Sequence, residues 1–467
     1  MCLIYWVQMP KLKRYWLWLP LVFLPACMTM PERDAVQEAV PLPKAWTALS
    51  VGVAKGEVSV WLASFNDADV KNLVLTALDG NNDLKATAAR VTQARAQARI
   101  EGAPAKPQLN VMPGFEHADA GRDAKSVTVT GSRWSVPFNL SWELDVWGRI
   151  GDAQQAAVLE ADAVEADLQG ATLSLAARTA QTCFELAEAR QRVSVVQASI
   201  DERKALVDLL QGRFNLGLAQ GLDLSLALTD LSDARAELKD AGNRVQQTQR
   251  HLEVLLGRYP AGGLGRCTRL PELPSALPVG LPTDLLARRP DVSAAFFRLR
   301  AKDQRLSSVR KALLPRVTLA ASGGSLANAL SDLTDPRSAA WNLALGLTQP
   351  LYAGDRLQAD IDLQAAHSEE ALHSYRETVL NGLREVEQSL AAEDWLIGRK
   401  QALAATAKQT ETSRALAIYA YRNGSVDILT LLDSYRSTLI ARTDLLNARL
   451  QLLNNRVDLY LALGGGI

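Results

Sequence analysis

The side chains able to do chemistry are few and poorly placed for it. The four histidines, His117, His251, His367 and His373, include no i, i+4 pair, and His367 and His373, six apart, do not share a helix face, so no zinc site is expected. The run Gly262-Gly263-Leu264-Gly265 follows a proline and no strand, so it is not a phosphate cradle, and no Walker sequence occurs. Of the four cysteines, Cys2 and Cys27 belong to a leader, Cys183 falls in a long helical pattern and Cys267 in a Gly/Pro-rich link. That separation argues against a disulfide framework and leaves two idle thiols as the expected state. The chain therefore reads as no enzyme, with no cofactor and no metal, and any work it takes part in draws its energy from another protein.

The one cysteine with a clear chemical role is Cys27. Lys11, Lys13 and Arg14 precede the apolar run Tyr15 to Ala26, a basic region and short apolar core that read as a secretory signal too brief to span a bilayer. Leu24-Pro25-Ala26-Cys27 resembles the bacterial lipobox, which would make Cys27 the lipid-modified first residue of the mature chain, with Met28 pointing to the outer rather than the inner membrane. Met9 is an alternative start. With 51 basic and 51 acidic residues interspersed, no electrostatic footprint for nucleic acid is present.

These positions sit on long elements. No proline occurs between Pro137 and Pro260, and inside that window Leu186, Val193, Ile200, Val207 and Phe214 fall seven apart. The pattern predicts a helix from Gly151 to Phe214, roughly 96 Å long at 1.5 Å per residue, turning at Leu216 to Gly221 and returning over Leu222 to Leu256. A seam held at that period faces neighbouring helices. A helix is also predicted from Asp67 to Arg99, and residues 28 to 64 read as an extended arm.

Before the long helix, Leu109, Val111, Pro113 and Phe115 alternate with polar residues, then Trp134, Val136, Phe138, Leu140, Trp142 and Leu144 do so over a longer stretch. A period of two between unlike faces fits strands, and the tryptophans suit a lipid interface. After the link 261–282 the programme restarts: a helix to Leu313, alternation at Val317 to Ala321 and Trp341 to Leu347, a long helix from Asp355 to about Tyr421, and a return helix from Val426 to Leu463. Asp83 matches Asp291 and Pro107 matches Pro315 at an offset of 208, Gly148 matches Gly354 at 206, and Gly217 matches Gly424 at 207. This spacing indicates an internal duplication. Four strands are too few to close a barrel, and an open edge cannot stand in lipid, so an oligomer is implied.

Ser141-Trp142-Glu143-Leu144-Asp145-Val146-Trp147-Gly148-Arg149-Ile150 resembles the TolC-type outer-membrane efflux family, in particular its lipoprotein (OprM-like, NodT) branch serving resistance-nodulation-division (RND) pumps. Leu255 to Pro260, Arg289-Pro290-Asp291-Val292, Leu429-Thr430-Leu431-Leu432-Asp433 and Ala462 to Gly466 extend the likeness over nearly the whole mature chain. The resemblance implies a fold that is mostly α with membrane β. Three chains would form a twelve-stranded outer-membrane β-barrel, four strands each, continuous with a long periplasmic coiled-coil barrel, with an internal two-fold sequence repeat. The implied parts are 1–26 signal and lipobox, 27–64 lipid-anchored arm, 65–260 first repeat, 261–282 equatorial link and 283–467 second repeat with tail.

By the same resemblance, Leu429 and Asp433 would form constricting rings at the closed periplasmic end, and the turn glycines Gly217 and Gly424 would meet a periplasmic adaptor. Asp223 and Tyr421 would tie helices together at the tip, with Arg213, Arg422 and Arg436 as candidate counter-ions. The implied function is the exit duct of a tripartite efflux pump, with an adaptor, an inner-membrane RND transporter and outer-membrane lipid as partners. A structural coiled-coil envelope lipoprotein or adhesin is the alternative, and it leaves the repeated strands unexplained. The chain departs from the family at Phe296, where a glutamate is usual, and at Ile467, where an aromatic residue is common. With five methionines no metal relay is suggested, and the cargo is left open.

Overall fold

The computed structural model describes residues 33–43, 46–47, 61–118, 131–274 and 282–465. Cys27 and the signal region lie outside the described residues. Two short helices, α1 (Ala35–Glu38) and α2 (Trp61–Ser64), stand where an extended arm was expected. Next come α3 (Ala68–Gly80), α4 (Asn82–Gly102), β1 (Gln108–Val111), β2 (Gly114–Ala118), β3 (Gly131–Leu144), α5 (Arg149–Asn215) and α6 (Gly221–Leu255). The second half carries α7 (Asp284–Arg288), α8 (Pro290–Lys311), β4 (Arg316–Ala327), β5 (Ala339–Thr348), α9 (Arg356–Arg422) and α10 (Ile428–Ala462). No described helix is long and apolar enough to cross a membrane.

The expected single helix over 67–99 is broken at Asn81. Its side chain accepts from Leu84 N (3.0 Å) as the N-cap of α4 and donates to Leu255 O at 2.9 Å, so a tertiary contact fixes the bend. The strands form one antiparallel sheet in which β1 and β2 lie end to end along β3, followed by β4 and β5. The β1–β2 break falls at Met112-Pro113, opposite Pro137 in β3. Two prolines meeting there remove two ladder donors, and Met112 N bonds Pro137 O instead at 3.1 Å. β4 runs well beyond the alternating stretch read from sequence, because Gly323 and Gly324 interrupt the hydropathy pattern without interrupting the pairing.

α5 and α9 each have 67 residues, and α6 and α10 each have 35. At 1.5 Å per residue the long pair reach roughly 100 Å. Bonds recur as well as lengths. Asn81 Nδ2 donates to Leu255 O and Arg289 Nη1 to Ala462 O, both at 2.9 Å; Trp142 Nε1 donates to Ala105 O and Gln349 Nε2 to Leu313 O, both at 2.8 Å. These partners are related by 208 before and within the first strand of each half and by 207 after it, which aligns Gly148 with Asp355; both are left-handed helix N-caps.

The core runs along α5. Trp61, Phe65, Phe184 and Tyr460 cluster where α2, α3, α5 and α10 meet. The arm lies across α8 and α9: Arg33 pairs with Asp303 and Glu38, Tyr375 donates to Ala35 O at 2.7 Å, and Arg376 to Glu38 O at 3.0 Å. Burial beside the acids Asp34 and Glu38 pushes the Tyr375 hydroxyl up to about 12. Phe296, the family departure, packs on Tyr375 with ring centroids 5.5 Å apart.

The expectation of two idle thiols is wrong: Cys183 and Cys267 are joined by a disulfide. The link does not leave the helices but folds back on them. Arg190 donates to the carbonyls of Leu264, Arg266 and Cys267, Glu253 accepts from Gly262 N (2.7 Å) and Gly263 N (2.9 Å), and Gln249 donates to Leu264 O (2.9 Å). Segments 84 residues apart are thus brought side by side.

Candidate functional site: the helix turns and the exposed stripe of α10

Both long helices end in the same way. Gly217 (φ 72°) and Gly424 (φ 69°) take the left-handed conformation that L side chains resist. Around them, Leu218 N bonds Arg213 O at 2.8 Å and Ser425 N bonds Ala420 O at 2.9 Å, closing a Schellman-type cap. Open space surrounds both glycines, so the backbone conformation rather than crowding demands glycine.

The second turn leads into α10. Asp427 caps it by accepting from Thr430 N at 2.8 Å, and hydrogen bonding from the Thr430 side chain, followed by that backbone bond, holds its carboxyl below the usual range. One turn on, the helix divides into two faces. Ile428, Leu431, Leu432, Tyr435 and Leu439 are buried, whereas Leu429 (59% exposed), Asp433, Arg436 and Ile440 form an uncovered stripe at 4-3-4 spacing. Leu429 and Asp433 therefore share a face one turn apart. Among the described residues Asp433 has no ion-pair partner.

Asp223, Tyr421 and Arg213 lie near one another at the tip. The Arg213 guanidinium stands 6.0 Å from the centre of the Tyr421 ring. Burial, and the Asp223 carboxylate nearby, raise the Tyr421 hydroxyl, with Arg213 pulling the other way. Of the other two candidate counter-ions, Arg436 pairs with Asp230 rather than Asp433, and no ion pair holds Arg422 among the described residues.

The reading of the sequence missed the charges that join the helices above the turns. Asp230 of α6 is 2% exposed and accepts from Arg203 Nε of α5 at 2.6 Å and from Arg436 Nε of α10 at 2.8 Å, while Arg203 also bonds Ser199. Nearby, Glu202 of α5 pairs with Arg414 of α9 and Arg442 of α10, and Arg442 reaches Glu411 at 3.0 Å. Burial and the Arg442 charge pull Arg414 below its ordinary value, and its guanidinium lies over Tyr435 at 5.6 Å. The available signal was Asp230 lying against the apolar stripe Ala227, Leu231 and Ala234. No cluster of three or more metal-ligating side chains occurs among the described residues. The arrangement fastens helices and presents an uncovered face.

Two long helical hairpins hung from one antiparallel sheet with exposed apolar side chains define a mostly helical, elongated protomer. A profile of the outer membrane efflux protein family matches residues 73–258 and again 281–465, and the chain belongs to that family, whose members are TolC-type transport channels rather than enzymes. It is 30% identical over 450 residues to the outer membrane protein OprJ of Pseudomonas aeruginosa, covering 95% of this chain and 94% of that one. It is 31% identical over 424 residues to the pyoverdine export outer membrane protein OpmQ of Pseudomonas putida, covering 87% and 88%. The solved outer-membrane channel OprN superposes with a TM-score of 0.85 at 26% identity, covering 94% of this chain and 99% of that one.

Proposed function

We propose that this chain is one of three that build the exit duct of a tripartite efflux pump, passively conducting cargo received from an inner-membrane RND transporter and a periplasmic adaptor to the exterior. The observation that carries the reading is the incomplete protomer. Among the described residues its sheet ends in two unpaired edges, at β5 and at β1/β2, with apolar side chains on the exposed face, and such edges are tolerated in lipid only when closed by further strands. Three copies give twelve strand positions, and a lipid on Cys27 adds a second hold on the outer membrane.

In this reading the uncovered stripe of α10 faces the lumen near the tip. Three Leu429 side chains make a dewetted constriction, and three Asp433 carboxylates one turn away attract cations. The contact of Asp223, Tyr421 and Arg213 holds the tip closed until the adaptor docks at the turns around Gly217 and Gly424. Cargo choice belongs to the pump, which fits relatives named for cargoes as unlike as pyoverdine (OpmQ) and cations (CusC of Escherichia coli, 26% identical over 462 residues).

The test is single-channel current from the purified full-length protein in a planar bilayer. Leu429→Ala and Asp433→Ala are expected to raise conductance, and Asp433→Ala to weaken its cation dependence. Unchanged conductance and cation dependence in both variants would reject the gate; absence of current from the assembled protein would reject the duct and favour a structural bridge.

A further inference from the structure

The two long helices open on the same residue, in a place where helix electrostatics disfavour it. Arg149 is the first residue of α5 and Arg356 the first of α9, at the offset of 207. The unsatisfied N–H groups of a helix N-terminus carry partial positive charge, so an arginine there costs stability unless an acid answers it. Arg149 has such an acid, Glu143 near the end of β3, at 2.8 Å. The offset sets Pro350 in the place of Glu143, α9 has no acid in its first turn, and Arg356 makes no ion pair among the described residues. A stability rule broken at the same place in both halves calls for a use outside the helix.

The two arginines meet two more. Arg149, Arg305 of α8, Arg316 at the start of β4 and Arg356 line one cavity of about 300 Å³, together with Glu101 and Asp360. Glu101 is answered by Arg305 at 3.5 Å. Arg316, like Arg356, makes no ion pair among the described residues, and the Nε atom of Arg149 is buried without a hydrogen-bond partner. Even with Glu143 counted, the guanidinium groups outnumber the carboxylates four to three, and two of them are free. A guanidinium offers parallel N–H donors that match the paired oxygens of a carboxylate or phosphate.

Strand pairing tells which side of the sheet the cavity lies on. Arg316 stands opposite Thr348, and two residues on Thr318 stands opposite both Glu143 and Gly346, so Arg316 and Glu143 share the polar face. Leu144, Val317 and Leu347, paired in a row, lie on the other face, which is the apolar one. We propose that this cavity is an oxyanion site, receiving a carboxylate or phosphate group of a dissolved molecule where the sheet meets the helices, with Arg316 and Arg356 as its free donors and Arg149 beside them. The proposal deepens the duct reading and rests on it for the source of the ligand: where the polar face lines the water route, the anion is a group on passing cargo. Lipid phosphate has the same chemistry but lies with the apolar face.

The test is isothermal titration of citrate, and separately of inorganic pyrophosphate, into the detergent-solubilised full-length protein at low ionic strength, where charges are little screened. Arg316→Gln with Arg356→Gln is expected to weaken both by about tenfold or more, the loss of two charge-assisted bonds. Arg316→Lys with Arg356→Lys keeps the charge without the fork and should fall between that variant and the parent. Lys71→Gln with Lys85→Gln removes the same charge on α3 and α4, with Lys85 roughly 24 Å along the helix from Glu101, and should change neither affinity. Helical circular dichroism checks that each variant is folded. Equal affinities in the parent and the glutamine variant, or no binding of either anion by the folded parent, overturns the site. Phosphatidylglycerol retained through purification in an Arg316- and Arg356-dependent way, without citrate binding, assigns the arginines to lipid and overturns it too. Single-channel current is recorded in parallel: protein that binds citrate in the expected pattern but passes no current upholds the site and rejects the duct.

Discussion

α5 and α9 have the same length, the same left-handed N-cap and the same glycine-bearing C-terminal turn, yet 27 residues of α5 are buried against 7 of α9. The difference is one of neighbours. α5 is enclosed by α4, α6, α8 and α10 of its own chain, whereas α9 meets chiefly α8 and α10. The sequences have adapted accordingly. α5 is lined with Ala153, Ala156, Ala163, Ala166, Ala176, Ala177 and Ala180, small side chains that let helices approach closely, while α9 leaves Leu363, Leu380, Trp395, Leu416 and Tyr419 uncovered. Large apolar groups along one edge of a helix point to a surface to be covered. A duplicated protein can thus keep one backbone twice and still divide the labour, one copy of the long helix forming the core of the protomer and the other leaving large apolar side chains uncovered.

The sharpest way to break this comparison is at the charges, which were not duplicated. Asp230 is buried against Arg203 and reached by Arg436, whereas its counterpart by offset is Ser437. Asp230→Ala leaves the guanidinium of Arg203 buried without its carboxylate and is expected to cost about 4 kcal/mol. Ser437→Ala should change stability by less than about 0.5 kcal/mol. Thermal or urea unfolding of detergent-solubilised protein, followed by helical circular dichroism, measures both. Equal effects would mean the two halves bear load alike. Arg203→Met with Asp230→Leu, removing both charges, should recover much of the loss.

The disulfide is the next asymmetry. The counterpart of Cys183 by offset is Leu390, so only the first long helix is stapled to the link. The bridge spans 84 residues, and removing it as Cys183→Ser with Cys267→Ser is expected to cost about 3 kcal/mol, largely by freeing the unfolded chain. Arg190, Glu253 and Gln249 still hold the link, so the folded state and its conductance should persist. Loss of assembly in the protein without this disulfide would show that the polar clamp alone is insufficient.

A gain of function sharpens the comparison further. Where the halves meet inside the chain, Arg298 of α8 pairs with Asp167 of α5. The repeat offsets of 208 and 207 carry these residues to Arg90 of α4 and Ser374 of α9, which the three-copy reading brings together between neighbouring copies. Ser374→Asp should therefore create a pair between copies worth about 0.5 kcal/mol. It would be read as a higher temperature for trimer dissociation on semi-native gels, cancelled by Arg90→Ala. A rise that survives Arg90→Ala would place some other partner there.

The features legible in the sequence are those written locally. The seven-residue track beginning at Leu186, the proline-free window and the glycines after each long helix gave both long helices to within two residues of their ends. The alternation from Trp134 to Leu144 gave β3. The rest depends on contacts distant in the chain. Nothing near Asn81 announces that its side chain will meet Leu255 and split a helix. Nothing near Cys267 announces that Arg190 and Glu253 will draw the link back onto α5. At the candidate site, the capping glycines Gly217 and Gly424 follow from local turn chemistry, whereas Leu429, Asp433, Asp223 and Tyr421 were singled out by resemblance, and which arginine stands beside Tyr421 was not legible. The Asp230 hub escaped because a carboxylate on a helix ordinarily faces water, and only the assembled helices show that this one does not.

The smallest effect concerns Asp458, where burial is the main cause of a raised pKa, the Gln181 bond at 2.6 Å lowers it and the charge of Glu385 adds to the rise. An acid whose pKa is higher folded than unfolded binds its proton more firmly in the native state. It costs no stability below the unfolded value, and the cost grows as pH rises through the folded value and then levels off. Asp458→Asn keeps an oxygen that accepts from Gln181 and never ionises. It should leave stability unchanged in acid and raise it slightly at neutral pH, so that the difference between variant and parent appears only as pH rises. His251 occupies the corresponding place in the first half, so the penalty belongs to the second half alone. A parent and variant whose stabilities run parallel over the whole range would show that Asp458 is as comfortable charged in the folded chain as in the unfolded one.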